Sequence, residues 1–260
     1  MRNLNCLLFI FIISLTLSAK INAQQSLDAM IDSDIASLVS TYKNLHAAPE
    51  LSHREEKTSV FFATQLKALG YTVNERIGKF ERPEWQGYGV VAVMRNGTGP
   101  TVLVRSDLDA LPVEEKTELP YASKVRTKND AGQEVGVMHA CGHDIHMTSL
   151  LGAAKLLAQL KDQWSGTLVL IGQPAEETID GARAMLRDDL YTRFPRPDFA
   201  IALHDTPDLA AGMVGYTPAY TMASSTNIDI KIRGLGGHGS KPPKIRLCWQ
   251  HRSLSLCRQS

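Results

Sequence analysis

The chain has no block of like charge: 28 Lys and Arg residues are balanced by 27 Asp and Glu, for a net charge of +1. It therefore lacks the electrostatic footprint by which proteins hold nucleic acid or an anionic membrane surface. It has no internal repeat and no low-complexity tract. Cysteine is scarce, four in 260 residues, which is too few and too scattered for a disulfide framework. The one long apolar run, Leu7 to Leu17 broken by Ser14 and Thr16, is too short to span a bilayer. What remains is ordinary globular composition, 43% hydrophobic and 21% charged. That is enough chain for one full core, or one core and part of another.

The short apolar run has a reading of its own. It follows Arg2 and precedes Ile21-Asn22-Ala23, a plausible cleavage site before Gln24. Residues 1–23 are expected to be a secretory signal, placing the mature chain outside the cytoplasm with no stable membrane association. Cys6 then leaves with the signal, and Cys248 and Cys257 sit in a terminal stretch foreign to the rest of the fold. Cys141 is left unpaired in an exported protein, which disfavours a disulfide and favours a thiolate held by metal or used in catalysis.

Periodicity predicts helices over 37–46, 55–69, 146–160 and 181–190. Strands are predicted over 71–77, 88–94, 101–105, 166–172 and 197–204, with an amphipathic strand over 225–234. Short apolar strands alternating with helices imply an α/β fold, a mainly parallel sheet covered on both faces. Polar clusters follow the buried strands directly: Asp107 and Asp109 after 101–105, Glu176 and Glu177 after 166–172, His204 at the end of 197–204. The carboxyl ends of strands in such sheets are where ligands bind, so residues distant in sequence can share one rim.

The segment "MHACGHDIHMTSLLGAA", residues 138–154, adds Cys141 and His143 around Gly142, in a turn leading into a helix. With Glu177 and His204 these offer thiolate, imidazole and carboxylate, a mix suited to zinc or another late divalent metal that activates water. Two adjacent carboxylates on one ion are redundant, so Glu177 is assigned to the metal and Glu176 to general base and acid chemistry. Each residue also has a plainer reading. Glu176 and Glu177 fit a solvated loop, and His139 and His146 fit supporting polar groups. Asp109 fits a cap before Pro112, and Asp144 a cap for a helix beginning near His146. A Cys141–His143 nucleophile pair leaves Glu176, Glu177 and His204 unexplained.

Six ordered segments carry a resemblance: "HAAPELSHREEKTSVFFATQLKALGYTV", "VRSDLDALPVEE", "MHACGHDIHMTSLLGAA", "GQPAEETIDGA", "ALHDTPDLAAGMVG" and "IRGLGGHGSKPP". From about His46 to Pro243 the chain resembles the amidohydrolase branch of the aminoacylase/carboxypeptidase metallopeptidases. The resemblance implies a three-layer catalytic α/β domain with two divalent metal ions, zinc or manganese. It also implies an inserted α/β lid that mediates homodimerisation. Carried over by motif, Cys141, His143, Glu177 and His204 are metal ligands, with Cys141 the bridge, and Glu176 is the general base. Asp107 and Asp109 stand where related branches have a His-x-Asp motif and support the site. His238 matches a lid histidine that reaches substrate. The implied reaction is hydrolysis of the amide of an N-acyl amino acid or short peptide by metal-activated water.

The resemblance divides the chain into a signal (1–23), the catalytic domain (24–223), the start of the lid (224–244) and a tail (245–260). The tail, "IRLCWQHRSLSLCRQS", matches nothing in the lid. Read from the third base of the Lys244 codon, permitted codons for this tail spell DPVVLAAQIVVSLQTI, an amphipathic helix. An out-of-frame end just after Pro243 is therefore expected, leaving out a further ligand histidine and giving a fragment of weak or no activity. The alternative is a non-catalytic metal- or ligand-binding relative.

Overall fold

A computed structural model describes residues 27–219 and, for the backbone alone, 225–228 and 254–257. The expected signal, His238 and most of the segment after 228 lie outside the described residues. The chain divides into two compact units, Met1–Asp205 and Thr206–Ser260. In the second, β8 (Ser225–Ile228) pairs antiparallel with β9 (Leu254–Cys257). Everything that follows concerns the first.

Its centre is a five-stranded sheet made of β1 (Thr72–Ile77), β2 (Gly89–Asn96), β3 (Thr101–Asp107), β6 (Gly166–Gln173) and β7 (Phe199–Ala202), in the order β1-β2-β6-β3-β7. The β6–β3 and β3–β7 pairs are parallel, while β2 runs antiparallel to both its neighbours. Four of the five strands thus point one way, the mostly parallel α/β arrangement that the alternation of elements implies. Strands β2 and β6 read as unbroken apolar runs because both of their faces are covered.

One face packs α2 (Glu56–Ala68) and α3 (His143–Gln159) around Phe62, Leu66, Met147, Leu151, Val90 and Leu170. Phe62 and Leu66, like Met147, Leu150 and Leu151, recur at the spacing of a single helix face. Helix α1 (residues 27–47) lies beyond α3, where Leu38 meets Gly152 so closely that a Cβ there would stand 3.1 Å from it. The opposite face is covered by α4 (Gly181–Arg187) and α5 (Leu190–Arg193), through Met185 and Leu190 on Val91, Val169 and Ile171. Helices thus lie on both faces of the sheet. A polar hairpin, β4 (Arg126–Lys128) with β5 (Glu134–Gly136), stands apart from the sheet.

Several boundaries differ from expectation, each for a local reason. Helix α3 starts at His143 rather than near His146 because Gly142, at φ +71, makes the left-handed turn into it; Asp144 lies inside the first turn and is not its cap. The helix predicted over 181–190 breaks at Asp189, whose φ of +60 separates α4 from α5. Strand β7 stops at Ala202, two residues before His204, and its Phe199 and Ile201 are exposed. Among the described residues, no helix is long and apolar enough to cross a membrane.

The parallel register positions the site. Asp107 aligns with Gln173 across β3 and β6, and Arg105 with Ala202 across β3 and β7. The loops that follow these strands leave at one end of the sheet, and the first turn of α3 opens there too.

Candidate metal centre

Asp109, just past β3, is completely buried and organises this end of the sheet. Its Oδ2 accepts hydrogen bonds from Ser52 Oγ at 2.6 Å and from the Glu177 backbone N–H at 3.0 Å. Its carbonyl accepts the Nδ1 proton of His143 at 2.8 Å. That bond fixes the ring and leaves Nε2, 3.8 Å from Glu176 Oε2 and 3.9 Å from Glu177 Oε1, as the nitrogen that carries a proton in the metal-free chain and that a cation would take in its place. His204 repeats the device, since its Nδ1 donates to the Asp205 carbonyl at 2.6 Å and its Nε2 faces Cys141 Sγ at 3.4 Å. One ligand atom from each of Cys141, His143 and His204 lies within 4.8 Å of the other two, and the same holds for His143, Glu176 and Glu177. Two further groups meet that spacing, Asp107 with His143 and His146, and His146 with His204 and Asp205.

Gly142 is required twice here. Its φ of +71 suits glycine, and a Cβ would stand 2.4 Å from Asp205 Oδ1. Asp205 lies 2.9 Å from His146 Nε2, which ties the segment carrying His204 to α3. Asp107, at the end of β3, accepts from Arg105 Nη1 at 2.6 Å.

The electrostatics describe a place short of positive charge. Burial, then the Glu177 and Glu176 carboxylates, push the Cys141 thiol up to about 12. A thiol pushed up in this way is a poor nucleophile, which weighs against the cysteine-nucleophile reading. Burial likewise raises Asp107 to about 6 and pushes Glu177 up. For His143, burial acts downward but the Asp109 and Asp107 carboxylates outweigh it, lifting the imidazole to about 9. Meanwhile His143 Nε2, Glu177 Oε1 and Asp109 Oδ1 are buried without a hydrogen-bond partner. Buried polar atoms left so are costly unless a ligand satisfies them. A divalent cation fits on both counts, because it answers the lone pairs and turns a protonated thiol into a thiolate.

The structure thus brings Cys141, His143, Glu176, Glu177, His204, Asp107 and Asp109 to one end of the sheet. His238 lies outside the described residues. Sequence reasoning missed the segment that holds the Glu176–Glu177 loop in place. That loop contains two non-glycine residues in the left-handed region, Ala175 at φ +49 and Ile179 at φ +60. Ala175 N–H donates to Glu55 Oε1 at 2.7 Å, and His53 Nε2 sits 3.1 Å from both carboxylate oxygens of Asp180. With Ser52 on Asp109, the stretch Ser52–Glu55 contacts the loop and its support from three positions. Glu55 is fully buried and raised to about 8, by burial first and then by Asp109. A signal existed: Glu55 lies four residues before Ser59 and seven before Phe62, so it is a charged residue on the buried stripe of α2.

Comparison with known proteins shows the family. The family model described as Peptidase family M20/M25/M40 matches residues 103–254, more than half of the chain. The chain is 41% identical over 203 residues to hippurate hydrolase of Campylobacter jejuni, covering 78% of this chain and 48% of that protein. It is 39% identical over 206 residues to N-acetyl-L-cysteine deacetylase of Bacillus subtilis, covering 79% and 45%. Its fold is similar to that of a dinuclear metal-binding peptidase from the M20 family of Bacillus subtilis, with a TM-score of 0.63, 34% identity, and coverage of 75% of this chain and 49% of that one. The chain spans about half the length of the curated relatives it matches.

Proposed function

Because this chain belongs to peptidase family M20/M25/M40, we propose that its first unit carries the metal-binding and proton-transfer residues of an amidohydrolase acting on N-acyl amino acids or short peptides. The observation that carries this reading is the convergence of Cys141 Sγ, two imidazole Nε2 atoms and an orphaned Glu177 oxygen on one rim. Cys141, His143, Glu177 and His204 would hold the cations, two of them, with zinc or manganese suiting the mixed donors. Such ions supply Lewis acidity, polarising a carbonyl and acidifying water.

The chain's own residues account for the rest. Asp109 holds His143 in the tautomer that presents Nε2, and the Asp205 carbonyl does the same for His204. Glu176, the less buried of the two glutamates, takes a proton from the attacking water. It returns that proton to the amine nitrogen as the carbon–nitrogen bond breaks, and water's second proton follows from the new carboxyl group, so the products are a carboxylate and an ammonium. His238 as a donor to substrate, a dimer of the whole protein, and export directed by residues 1–23 belong to the same proposal.

The test is Glu176→Gln in the metal-loaded chain. It should leave metal binding intact while hydrolysis of N-acyl amino acids falls by about 10²–10⁴, the range for losing a general base. Hydrolysis that survives the substitution or a chelator would sink the reading. Stoichiometric metal binding with no turnover in the unsubstituted chain would point instead to a metal-binding relative without catalysis, unless a chain lengthened to the span of its relatives restores turnover, the outcome expected of an inactive fragment.

A further inference from the structure

A cleft of ≈ 420 Å³ opens beside the candidate metal centre, reaching Glu177 and Thr178. Its apolar lining is Leu51, Ala110, Leu111 and Pro112, and the tip of the β4–β5 hairpin, residues 129–131, also borders it. The volume lies within the range of pockets that bury small organic ligands, about 300–1,000 Å³.

The charges of the cleft say which part of a substrate it suits. Arg54 is the only Lys or Arg among the lining residues, and it is committed: Nη2 donates to Asp130 Oδ1 at 2.9 Å and Nη1 to the Lys128 carbonyl. His53 is committed to Asp180. Recognition of an amino-acid carboxylate calls for an unspent cation or free donors. The lining carries an apolar patch and two carboxylates, Asp130 and Glu177, which repel a second anion, so with its cation already paired it favours an uncharged group instead. An acetyl group would fill a small part of such a space, whereas an aryl or medium-chain acyl group would bury its surface along the apolar lining.

The hairpin is built to keep its shape. Asn129 Oδ1 accepts from Ala131 N–H at 3.1 Å and Gln133 N–H at 2.9 Å, Asn129 N–H donates to the Gln133 carbonyl, and Gly132 takes φ +77. Arg54 then fastens the tip to the segment that leads into α2. A preformed border discriminates by size at little ordering cost.

We infer that this cleft receives the uncharged acyl side of the substrate and that the β4–β5 hairpin sets its size, favouring aryl or medium-chain acyl groups over acetyl. This rests on the amidohydrolase reading of the neighbouring site.

The experiment uses the full zinc-loaded chain with N-benzoylglycine and N-acetylglycine. Binding is measured by saturation-transfer NMR titration in Glu176→Gln, and kcat/KM in the unsubstituted chain. The benzoyl compound should be preferred by roughly tenfold or more, given that a single extra methylene in an apolar pocket is worth about 10–200-fold. Ala131→Trp, at the exposed hairpin tip, should abolish that preference while N-acetylglycine changes by less than about twofold. Arg54→Ala, which unfastens the hairpin, should narrow the preference without reversing it. Equal or tighter handling of N-acetylglycine by the unsubstituted chain would overturn the inference, as would an Ala131→Trp effect that is absent or equal for both compounds. If selective, Ala131→Trp-sensitive binding is found in a chain that hydrolyses neither compound, the acyl cleft stands and the amidohydrolase reading falls.

Discussion

Two buried clusters of imidazole and carboxylate share the first turn of α3, and they end differently. Asp144 belongs to one. His46 Nδ1 lies 2.7 Å from Asp144 Oδ2 and Nε2 lies 2.9 Å from Glu115 Oε1, while Asp144 Oδ1 accepts from Ile145 N–H and Glu115 Oε2 from Ser123 N–H. His143, the residue before it, belongs to the other, where its own Nε2, Glu177 Oε1 and Asp109 Oδ1 have no hydrogen-bond partner. The ingredients are the same and burial is comparable. The closed cluster clasps α1, the loop before β4 and α3 together. The open one has lone pairs and negative charge in excess of its donors, and that surplus, rather than the residue types, marks a ligand site.

Substituting one histidine in each cluster breaks the comparison most sharply. His46→Ala strands two buried carboxylates and should cost about 3–5 kcal/mol in denaturant unfolding. His143→Ala also removes the positive charge facing the Asp109 and Asp107 carboxylates, so the metal-free chain should lose about 3–5 kcal/mol as well. Zinc affinity separates the two variants: it should fall by more than about 100-fold in His143→Ala, beyond the usual effect of an outer supporting residue, and change by only a few-fold in His46→Ala. Equal losses of zinc affinity in the two variants would erase the distinction drawn here.

A smaller effect is expected at Glu55, which supports the open cluster from behind. Glu55→Ala leaves the Ala175 N–H without its acceptor and should destabilise the chain by about 1–3 kcal/mol. Zinc affinity should weaken with it, because the turn bearing Glu177 is freed. Glu55→Gln keeps an acceptor and should behave nearly as the unsubstituted chain at low pH. A loss as large in Glu55→Gln as in Glu55→Ala would show that the latch does not depend on that acceptor.

The pH dependence sharpens the same point with the smallest signal. Glu55 rises from 4.5 to about 8 on folding, so between those values the folded chain holds more protons than the unfolded one. Stability therefore falls as pH climbs through that window. His46 is raised by its carboxylate partners against the downward effect of burial. Its contribution is complete below its unfolded value of 6.5 and is lost as pH rises through the higher folded one. Urea midpoints measured in chelator should decline across this range, and Glu55→Gln should remove the part of the decline that begins near 4.5. An unchanged slope in Glu55→Gln would place the titrating group elsewhere.

The strands of the sheet were legible because burial on both faces leaves runs such as Val90–Met94 and Leu168–Ile171 with almost no polar interruption. Which ends faced one another was legible too, since Asp107, Glu176 and Glu177 close or follow such runs; His204 follows an apolar run as well, but β7 is exposed rather than buried. The antiparallel placement of β2 was not, because an apolar strand carries no mark of its direction. The β4–β5 hairpin escaped for the opposite reason: "RTK" and "EVG" are three residues each and mostly solvent-facing, so no alternation can build up. At the site, residue types exposed the donors but not their holders. Nothing in the local pattern says that the Asp109 carbonyl, rather than its carboxylate, takes the His143 proton at 2.8 Å, or that Glu55 reaches 120 residues along the chain to Ala175.

The account is tested most directly by titrating the metal-free chain with cobalt(II) and recording its absorbance. Saturable binding with a thiolate-to-cobalt charge-transfer band is predicted, with the band lost in Cys141→Ser and weakened in His143→Ala. A chain that shows no saturable binding, or whose band survives Cys141→Ser, would contradict it.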